Sequence, residues 1–279
     1  MPQADKRPQA TKHDLALVID ETVGSFANID VAPVADIILT STTKSFSGYA
    51  DVMGGSAVLV PGSPSHDGLA PLFAAHHRNE VAASDAAHLL SNSADYLTRS
   101  ATLNRNAAAV VAFLAARLGD SAAVTGVLYP TQDPHTRAHV DAFLRRRGAG
   151  GDDDDGAAPG YGCLLSVDLA TTAAAEAFHD ALAFHGGPHL GAHRALKLPF
   201  NATVFGKDPV DAAYHAAYGM RPEQVRISVG LEPAEELVAA VAEAVEAAER
   251  AIGGGGTEEA VAKVVDGMAR VAVQEVEGV

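Results

Sequence analysis

The chain has 279 residues, of which 48% are hydrophobic and 20% are charged, and its formal net charge is −15 at pH 7. An acidic surface repels phosphate backbones, so nucleic acid is excluded as an expected partner. No apolar run approaches the ~18 residues of a membrane span, and the polar N-terminus has no signal-peptide pattern. With a single cysteine, Cys163, an internal disulfide framework is also excluded. We therefore expect a cytoplasmic globular protein in which Cys163 is a small core residue.

Residues 1–12 are predicted to be disordered, and three short apolar segments follow them. Residues 15–20 have the pattern of a buried strand that ends on a carboxylate, and residues 35–40 form a similar segment that ends in hydroxyls. Residues 56–60 predict a third strand. Continuous apolar strands with polar ends favour an internal sheet covered on both faces. In such sheets ligands bind at the carboxyl ends of the strands, where this sequence concentrates its polar residues.

From residue 80 to residue 118 the apolar spacing becomes helical, and residues 94–114 predict a long helix that joins two domains. Strands and helices then alternate, which indicates an α/β or α+β layer. The predicted strands are residues 124–129, 162–168 and 225–229, and the predicted helices are residues 171–184 and 233–252.

Two segments are low in complexity. Residues 145–160 contain four consecutive aspartates among glycines, and mutual repulsion with high chain entropy predicts a flexible surface loop. We expect these aspartates to be solvated, and we predict no metal site in the chain. The glycines at 253–256 begin a predicted linker and terminal helix, residues 253–279.

The stretch around Lys44 carries the chemistry of a pyridoxal 5′-phosphate (PLP) site. Lys44 lies 24 positions after Asp20, and each residue follows a predicted strand. A lysine amine can hold the PLP aldehyde as a Schiff base and release it to an amino-acid substrate. A carboxylate beside the ring nitrogen keeps that nitrogen protonated. Ser41 and Thr43 alternate along an extended segment and offer hydroxyls to the phosphate.

Each of these elements also has an ordinary explanation. The Ser-x-Thr-Lys string can form a simple turn, a strand-terminal aspartate such as Asp20 is often a helix cap, and Lys44 alone is typical of a solvated surface. The combination of the strand-terminal aspartate, the Ser-x-Thr-Lys string and the following Gly54-Gly55 pair is much more specific.

The sequence resembles the Cys/Met-metabolism family of PLP-dependent enzymes, and the fungal-type cystathionine γ-synthases in particular. The likeness covers most of residues 13–250 and is carried by residues 20–24, 41–48, 51–56, 95–100, 103–106, 218–220 and 226–232. It implies an α/β protein of the PLP-dependent transferase fold type I, which is the aspartate aminotransferase-like fold. Residues 13–105 would form the C-terminal part of the large PLP-binding domain, and residues 106–252 the small domain.

By this resemblance Lys44 is the catalytic, cofactor-bound lysine, and Asp20, Ser41 and Thr43 hold PLP. Arg226 would bind the substrate α-carboxylate, for which a planar guanidinium is suited; otherwise it would be a structural ion-pair residue. His189 stands where the family has a serine near that carboxylate, which makes it a candidate specificity residue or else a surface histidine.

The resemblance implies γ-replacement on an activated homoserine ester with cysteine, which gives cystathionine in methionine biosynthesis. Sulfhydrylation of the same ester, γ-elimination, and a catalytically impaired remnant of the family are the alternatives. The implied partners are small amino-acid substrates and further copies of the chain in a homo-oligomer. Family members have a longer N-terminal half with further cofactor contacts, which residues 1–14 cannot supply, so the chain is expected to be a fragment or a degenerate relative.

Overall fold

The computed structural model describes residues 3–145, 158–205 and 209–253. The helices are α1 Gln3–Lys12, α2 His66–His76, α3 Ala83–Asn92, α4 Tyr96–Ala115, α5 Pro134–Asp141, α6 Thr172–Ala181, α7 Phe200–Val204, α8 Pro209–Ala216 and α9 Ala234–Gly253. The strands are β1 Val18–Asp20, β2 Ile37–Thr40, β3 Ser56–Leu59, β4 Val124–Leu128, β5 Leu164–Leu169, β6 His185–Gly186, β7 Leu196–Leu198 and β8 Gln224–Ser228. Within these ranges no helix is long and apolar enough to cross a bilayer. The predictions for the aspartate-rich loop and the terminal helix fall on residues 146–157 and 254–279, which lie outside the described residues.

The first sheet has the strand order β1-β2-β3 and contains all three strands predicted for the start of the chain. Strands β1 and β2 are parallel, and Asp20 pairs with Leu39. Strand β3 runs antiparallel to β2, so that Val58 pairs with Ile38. Because β1 and β2 are parallel, their carboxyl ends lie at the same edge of the sheet. Asp20 is the last residue of β1 and Ser41 directly follows β2, so both lie at this edge.

The two faces of this sheet differ in burial. Ile19 is 4% exposed and packs in a small core, whereas Val18 and Leu39, on the opposite face, are 48% and 39% exposed. The prediction that both faces are covered was therefore wrong. Helix α4, which follows the sheet in the chain, packs instead against α9 and strands β4 and β5.

The second sheet has the order β4-β5-β8-β7-β6 and holds the larger core. Its central strands β5 and β8 pair antiparallel, and Val167 and Val225, which are opposite each other, are fully buried. Helices α6 and α9 pack against each other and complete this core, with Phe178 of α6 fully buried. Fully buried and half-buried residues alternate along β5, as expected for a strand with one face on the core.

Helix α4 connects the two sheets. Its residues Leu103, Val110 and Leu114 belong to the larger core, while its first turns contact the segment that contains Lys44. The helix runs without a break through position 105, where the sequence predicts the domain boundary. The division into residues 13–105 and 106–252 stays a prediction.

The segment that was predicted to be disordered, residues 1–12, contains helix α1. The helix is held by an ion pair between Arg7 and Asp36, whose carboxylate is fully buried. Asp36 also accepts hydrogen bonds from the backbone amides of Leu17, at 2.8 Å, and Ser65, at 3.3 Å. A long-range contact that spacing along the sequence does not reveal therefore fixes this helix.

Candidate active site

The segment that follows β2 forms a tight turn around Lys44. Ser41 is extended, and Thr42–Phe46 is a short helical turn of the π type in which Lys44 leaves helical geometry, with φ −80° and ψ −127°. The amide of Gly48 donates to the Lys44 carbonyl at 2.8 Å and closes the turn. The prediction of an extended segment through Thr43 was therefore wrong, and alternation does not put Ser41 and Thr43 on one side.

Asp20 is joined to this turn through Thr22. One carboxylate oxygen of Asp20 accepts hydrogen bonds from the Thr22 amide at 3.0 Å and from the Thr22 hydroxyl at 2.6 Å. The same hydroxyl accepts a hydrogen bond from the Ser41 amide at 2.8 Å. The Lys44 amide donates to the Ser41 carbonyl at 3.2 Å. A short hydrogen-bonded path therefore connects the predicted pyridinium partner with the predicted cofactor lysine.

Thr43 is bonded to the backbone of Gly54 on the other side of the turn. Its hydroxyl accepts from the Gly54 amide at 2.9 Å and donates to the Gly54 carbonyl at 3.3 Å. A β-carbon at position 54 would lie 2.6 Å from the Thr42 hydroxyl, so only glycine fits there. In this arrangement Thr43 anchors the turn. Its hydroxyl proton is donated to the Gly54 carbonyl, so it is not available to a phosphate.

The second sheet brings His189 to the lysine turn. The His189 Nε2 atom lies 3.1 Å from the Thr43 carbonyl, and the backbone amide of His193 donates to the Gly48 carbonyl at 2.8 Å. Between these contacts, Gly191 adopts φ +70° and passes so close to Ser45 that any side chain at 191 would collide with it. Residues 189–193 therefore close over the turn.

The two ring nitrogens of His189 differ in their surroundings. Since a carbonyl can only accept, Nε2 carries the proton, and Nδ1 is buried without a hydrogen-bond partner among the described residues. Burial, followed by the positive charge of Lys44, lowers the pKa of His189. A neutral His189 has no N–H left for a substrate carboxylate, which is the role that the resemblance gave to this position.

Arg226 lies on β8 with its guanidinium fixed at two points. Its Nη2 atom donates to the Pro188 carbonyl at 2.7 Å, and its Cζ atom lies 4.7 Å from the centre of the Phe200 ring. Burial lowers the pKa of Arg226. In the described part of the chain no carboxylate pairs with it, so the ion-pair alternative has no partner there. The remaining N–H groups are available to a carboxylate ligand.

Sequence reasoning missed three residues that support this site, namely Thr22, Gly54 and Phe200. Thr22 was detectable in principle, because a threonine two positions after a strand-terminal aspartate is typical of an Asx turn. Gly54 was noted only as part of a glycine pair. Phe200 meets Arg226 from 26 positions away in the sequence, and no local pattern indicates that contact.

The unpaired polar groups at and beside the turn are chemically suited to bind PLP. The Lys44 amine, the second carboxylate oxygen of Asp20 and the Ser41 hydroxyl have no hydrogen-bond or ionic partner in the part of the chain that the structure describes. The Thr42 hydroxyl is buried and likewise unpaired within the described ranges. An amine to react with the aldehyde, a carboxylate to accept from the protonated pyridine nitrogen and a hydroxyl to donate to the phosphate are the groups that PLP requires.

Two other features of the described residues do not compete with the lysine turn as a site. Among residues 3–145, 158–205 and 209–253, no group of three or more His, Cys, Asp or Glu side chains could hold a metal ion. A cleft of about 560 Å³ lies beside β3, and its walls include Ala57, Phe73 and Arg78. None of the six predicted site residues lines this cleft, so the lysine turn remains the candidate active site.

Comparison with known proteins identifies the family. The model of the Cys/Met metabolism PLP-dependent enzymes matches residues 7–246, and the chain belongs to this family. An alanine racemase of Aspergillus violaceofuscus is 36% identical over 88% of this chain and 41% of its own length. A cystathionine gamma-synthase-like enzyme of Amanita muscaria is 36% identical over 88% of this chain and 40% of its own length. The cystathionine gamma-synthase of Neurospora crassa is 33% identical over 87% of this chain and 36% of its own length.

Solved structures agree with the family and its fold. Cystathionine gamma synthase from Xanthomonas oryzae pv. oryzae, in complex with cystathionine, superposes with a TM-score of 0.73 at 26% identity, covering 90% of this chain and 60% of that chain. A cystathionine gamma lyase from Micromonospora echinospora gives a TM-score of 0.70 at 26% identity, covering 88% of this chain and 60% of that chain. The fold is therefore that of the PLP-dependent γ-synthases and γ-lyases, and the chain spans about two-fifths of the length of the curated relatives reported above.

Proposed function

We propose that this chain carries the lysine side of a PLP site and takes part in γ-replacement on an activated homoserine ester, with cysteine as the nucleophile and cystathionine as the product. The observation that carries the proposal is the meeting of two sheets at the Lys44 turn. The first sheet supplies Asp20 through Thr22, and the second supplies residues 189–193 and Arg226.

When bound, PLP withdraws electrons from the α-carbon of an amino-acid substrate. The Lys44 amine, which no described group neutralises or engages, holds the cofactor and, once released, moves a proton at the α-carbon. The free oxygen of Asp20 keeps the ring nitrogen charged. Arg226, held by Pro188 and Phe200, grips the α-carboxylate with its remaining N–H groups and so fixes the orientation of the substrate.

Our proposal differs from the expectation of the resemblance in two roles. Because the Thr43 hydroxyl is bonded to Gly54, we assign the phosphate contact to Ser41, whose hydroxyl has no partner among the described residues. Because the only N–H of neutral His189 is bonded to Thr43, we assign His189 to holding the turn closed and leave the carboxylate to Arg226.

A second reaction in the same site is favoured by one comparison. A relative at 36% identity is named an alanine racemase, and racemisation needs only proton transfer at the α-carbon, with no leaving group at the γ-carbon. The groups at Lys44 and Arg226 serve either reaction, because both begin with the same proton transfer.

Spectroscopy with added substrates tests the proposal. The purified chain mixed with PLP should develop an absorbance band near ~420 nm that Lys44→Ala removes and Lys12→Ala retains. With an O-acylhomoserine and cysteine, mass spectrometry should detect cystathionine. Exchange of the alanine α-proton for deuterium without cystathionine formation would favour the racemase-type reaction. Absence of the band in the wild-type chain would contradict the proposed function.

A further inference from the structure

The Lys44 turn is also held by an arginine from helix α4 that has no part in the proposed reaction. Arg99 is 4% exposed. Its Nη1 atom donates to the Ser45 carbonyl at 3.1 Å, and its Nη2 atom donates to the Phe46 carbonyl at 3.0 Å. These two carbonyls directly follow Lys44 in the chain, so Arg99 determines the direction in which the backbone leaves the lysine.

The remaining donors of Arg99 tie the turn to the helices. Nη2 also donates to the Asn92 carbonyl at 2.8 Å, at the end of α3, and Nε donates to Asp95 at 2.7 Å. Four of the contacts that a guanidinium fork can make are therefore satisfied. A compact ammonium group on a flexible stem cannot reproduce this planar arrangement, so lysine is a poor substitute here.

Residues within and next to the turn pack closely against Arg99 and helix α4. Gly48 adopts φ +78°, and a β-carbon at this position would collide with Arg99. The Tyr49 ring lies with its centre 5.4 Å from the Arg99 Cζ atom. The Phe46 ring packs 5.5 Å from Tyr96 of the same helix. The turn therefore contacts α4 in two ways: its backbone carbonyls bind Arg99, and the Phe46 side chain packs against Tyr96.

We propose that Arg99 is a positioning residue that sets the orientation of the Lys44 amine by fixing the Ser45 and Phe46 carbonyls. The guanidinium does not touch the reacting atoms and acts only through the backbone of the turn. The contribution of Arg99 to catalysis rests on the proposed function. Its effect on the conformation of the Lys44 turn can be measured without the cofactor.

Amide hydrogen exchange of the full chain, with and without PLP, tests this inference. The variants are Arg99→Gln, Arg99→Lys and Asp95→Asn, and Arg105→Gln is the control, because Arg105 is exposed on the same helix and bonds only to Thr102. In Arg99→Gln, exchange at residues 44–48 should rise about tenfold while strands β5 and β8 stay protected. Arg99→Lys should lie between that variant and the wild type.

A second readout separates positioning from general stability. With PLP added, the absorbance of the visible band is measured as a function of pH. Arg99→Gln should shift the pH at which this absorbance is half-maximal, whereas Arg105→Gln should leave that pH at the wild-type value. Asp95→Asn removes only the helical ion pair and should leave residues 44–48 protected. If Arg99→Gln does not fold, Arg99→Lys is compared with Asp95→Asn in the same way.

Three results would overturn the inference. One is exchange at residues 44–48 within twofold of the wild type in both Arg99 variants. Another is equal loss of protection throughout β5 and β8, which would mean general destabilisation. The third is an Asp95→Asn variant that behaves like Arg99→Gln, because the ion pair would then be the role of Arg99. Failure of the wild-type chain to develop a visible band would contradict the proposed function alone, since the exchange of the cofactor-free chain still decides the role of Arg99.

Discussion

At the scale of single residues, His189 shows how the second sheet is coupled to the lysine turn. Its protonated Nε2 holds the Thr43 carbonyl, and its Nδ1 is buried. Burial disfavours the charged form of the ring, and the positive charge of Lys44 adds to this effect, so the pKa of His189 is lowered.

This lowered pKa predicts the direction of a pH effect. The unfolded chain takes up a proton at His189 near the ordinary pKa of about 6.5, while the folded chain takes it up only at lower pH. The contribution of His189 to stability is therefore complete above that pH and is lost as the pH falls below it. Urea unfolding at pH 7.5 and 5.5 should show a larger loss of unfolding free energy for the wild type than for His189→Gln.

Glutamine is a suitable replacement because its amide can still donate to Thr43 and does not titrate. His185→Gln, at an exposed position on β6, is the matched control and should keep the wild-type pH dependence. Equal pH dependence in the wild type and in His189→Gln would contradict the assigned tautomer and its buried Nδ1.

At the scale of elements, the sequence predicted strands β1 to β5 and β8 and the long helices α4 and α9 because their patterns are local, but it missed the short strands β6 and β7. In the structure every second residue of β5 is buried, and α9 buries one face that includes Leu237, Val241 and Val245. The turn at Thr42–Phe46 could not be predicted, since Gly54, His189 and Arg99 determine its shape from distant parts of the chain. Residues 1–12 were mispredicted for the same reason, because the composition of the segment does not reveal the partner of Arg7.

Helix α1 provides a test of that long-range contact. Burial by itself would raise the pKa of Asp36, but its pairing with Arg7 and the donated amides hold the pKa far below the ordinary value. Arg7→Ala leaves a buried carboxylate without its cation and should lower the unfolding free energy by about 2–4 kcal/mol at pH 7. Lys12→Ala, at the exposed end of the same helix, should change it by less than about 0.5 kcal/mol. Equal urea midpoints for the two variants would show that α1 is not anchored through Arg7.

At the scale of the whole molecule, the two sheets differ in how much apolar surface they bury. The larger core is built on the second sheet, where Leu169 is fully buried, whereas Leu39 in the first sheet is 39% exposed. Leu169→Ala should therefore lower the unfolding free energy by about 2–5 kcal/mol. Leu39→Ala should cost less than about 1 kcal/mol. Similar costs for both leucines in urea unfolding would contradict the burial that the structure assigns to the two sheets.

Covalent trapping of the cofactor tests whether Lys44 is the lysine that holds PLP. The chain is incubated with PLP, reduced with borohydride, digested and mapped by mass spectrometry. We predict that the reduced pyridoxyl label is found on Lys44, that Asp20→Asn weakens labelling, and that Lys44→Ala abolishes it. Label spread without preference over Lys12, Lys197 and other lysines, with Lys44 unmodified, would contradict the account.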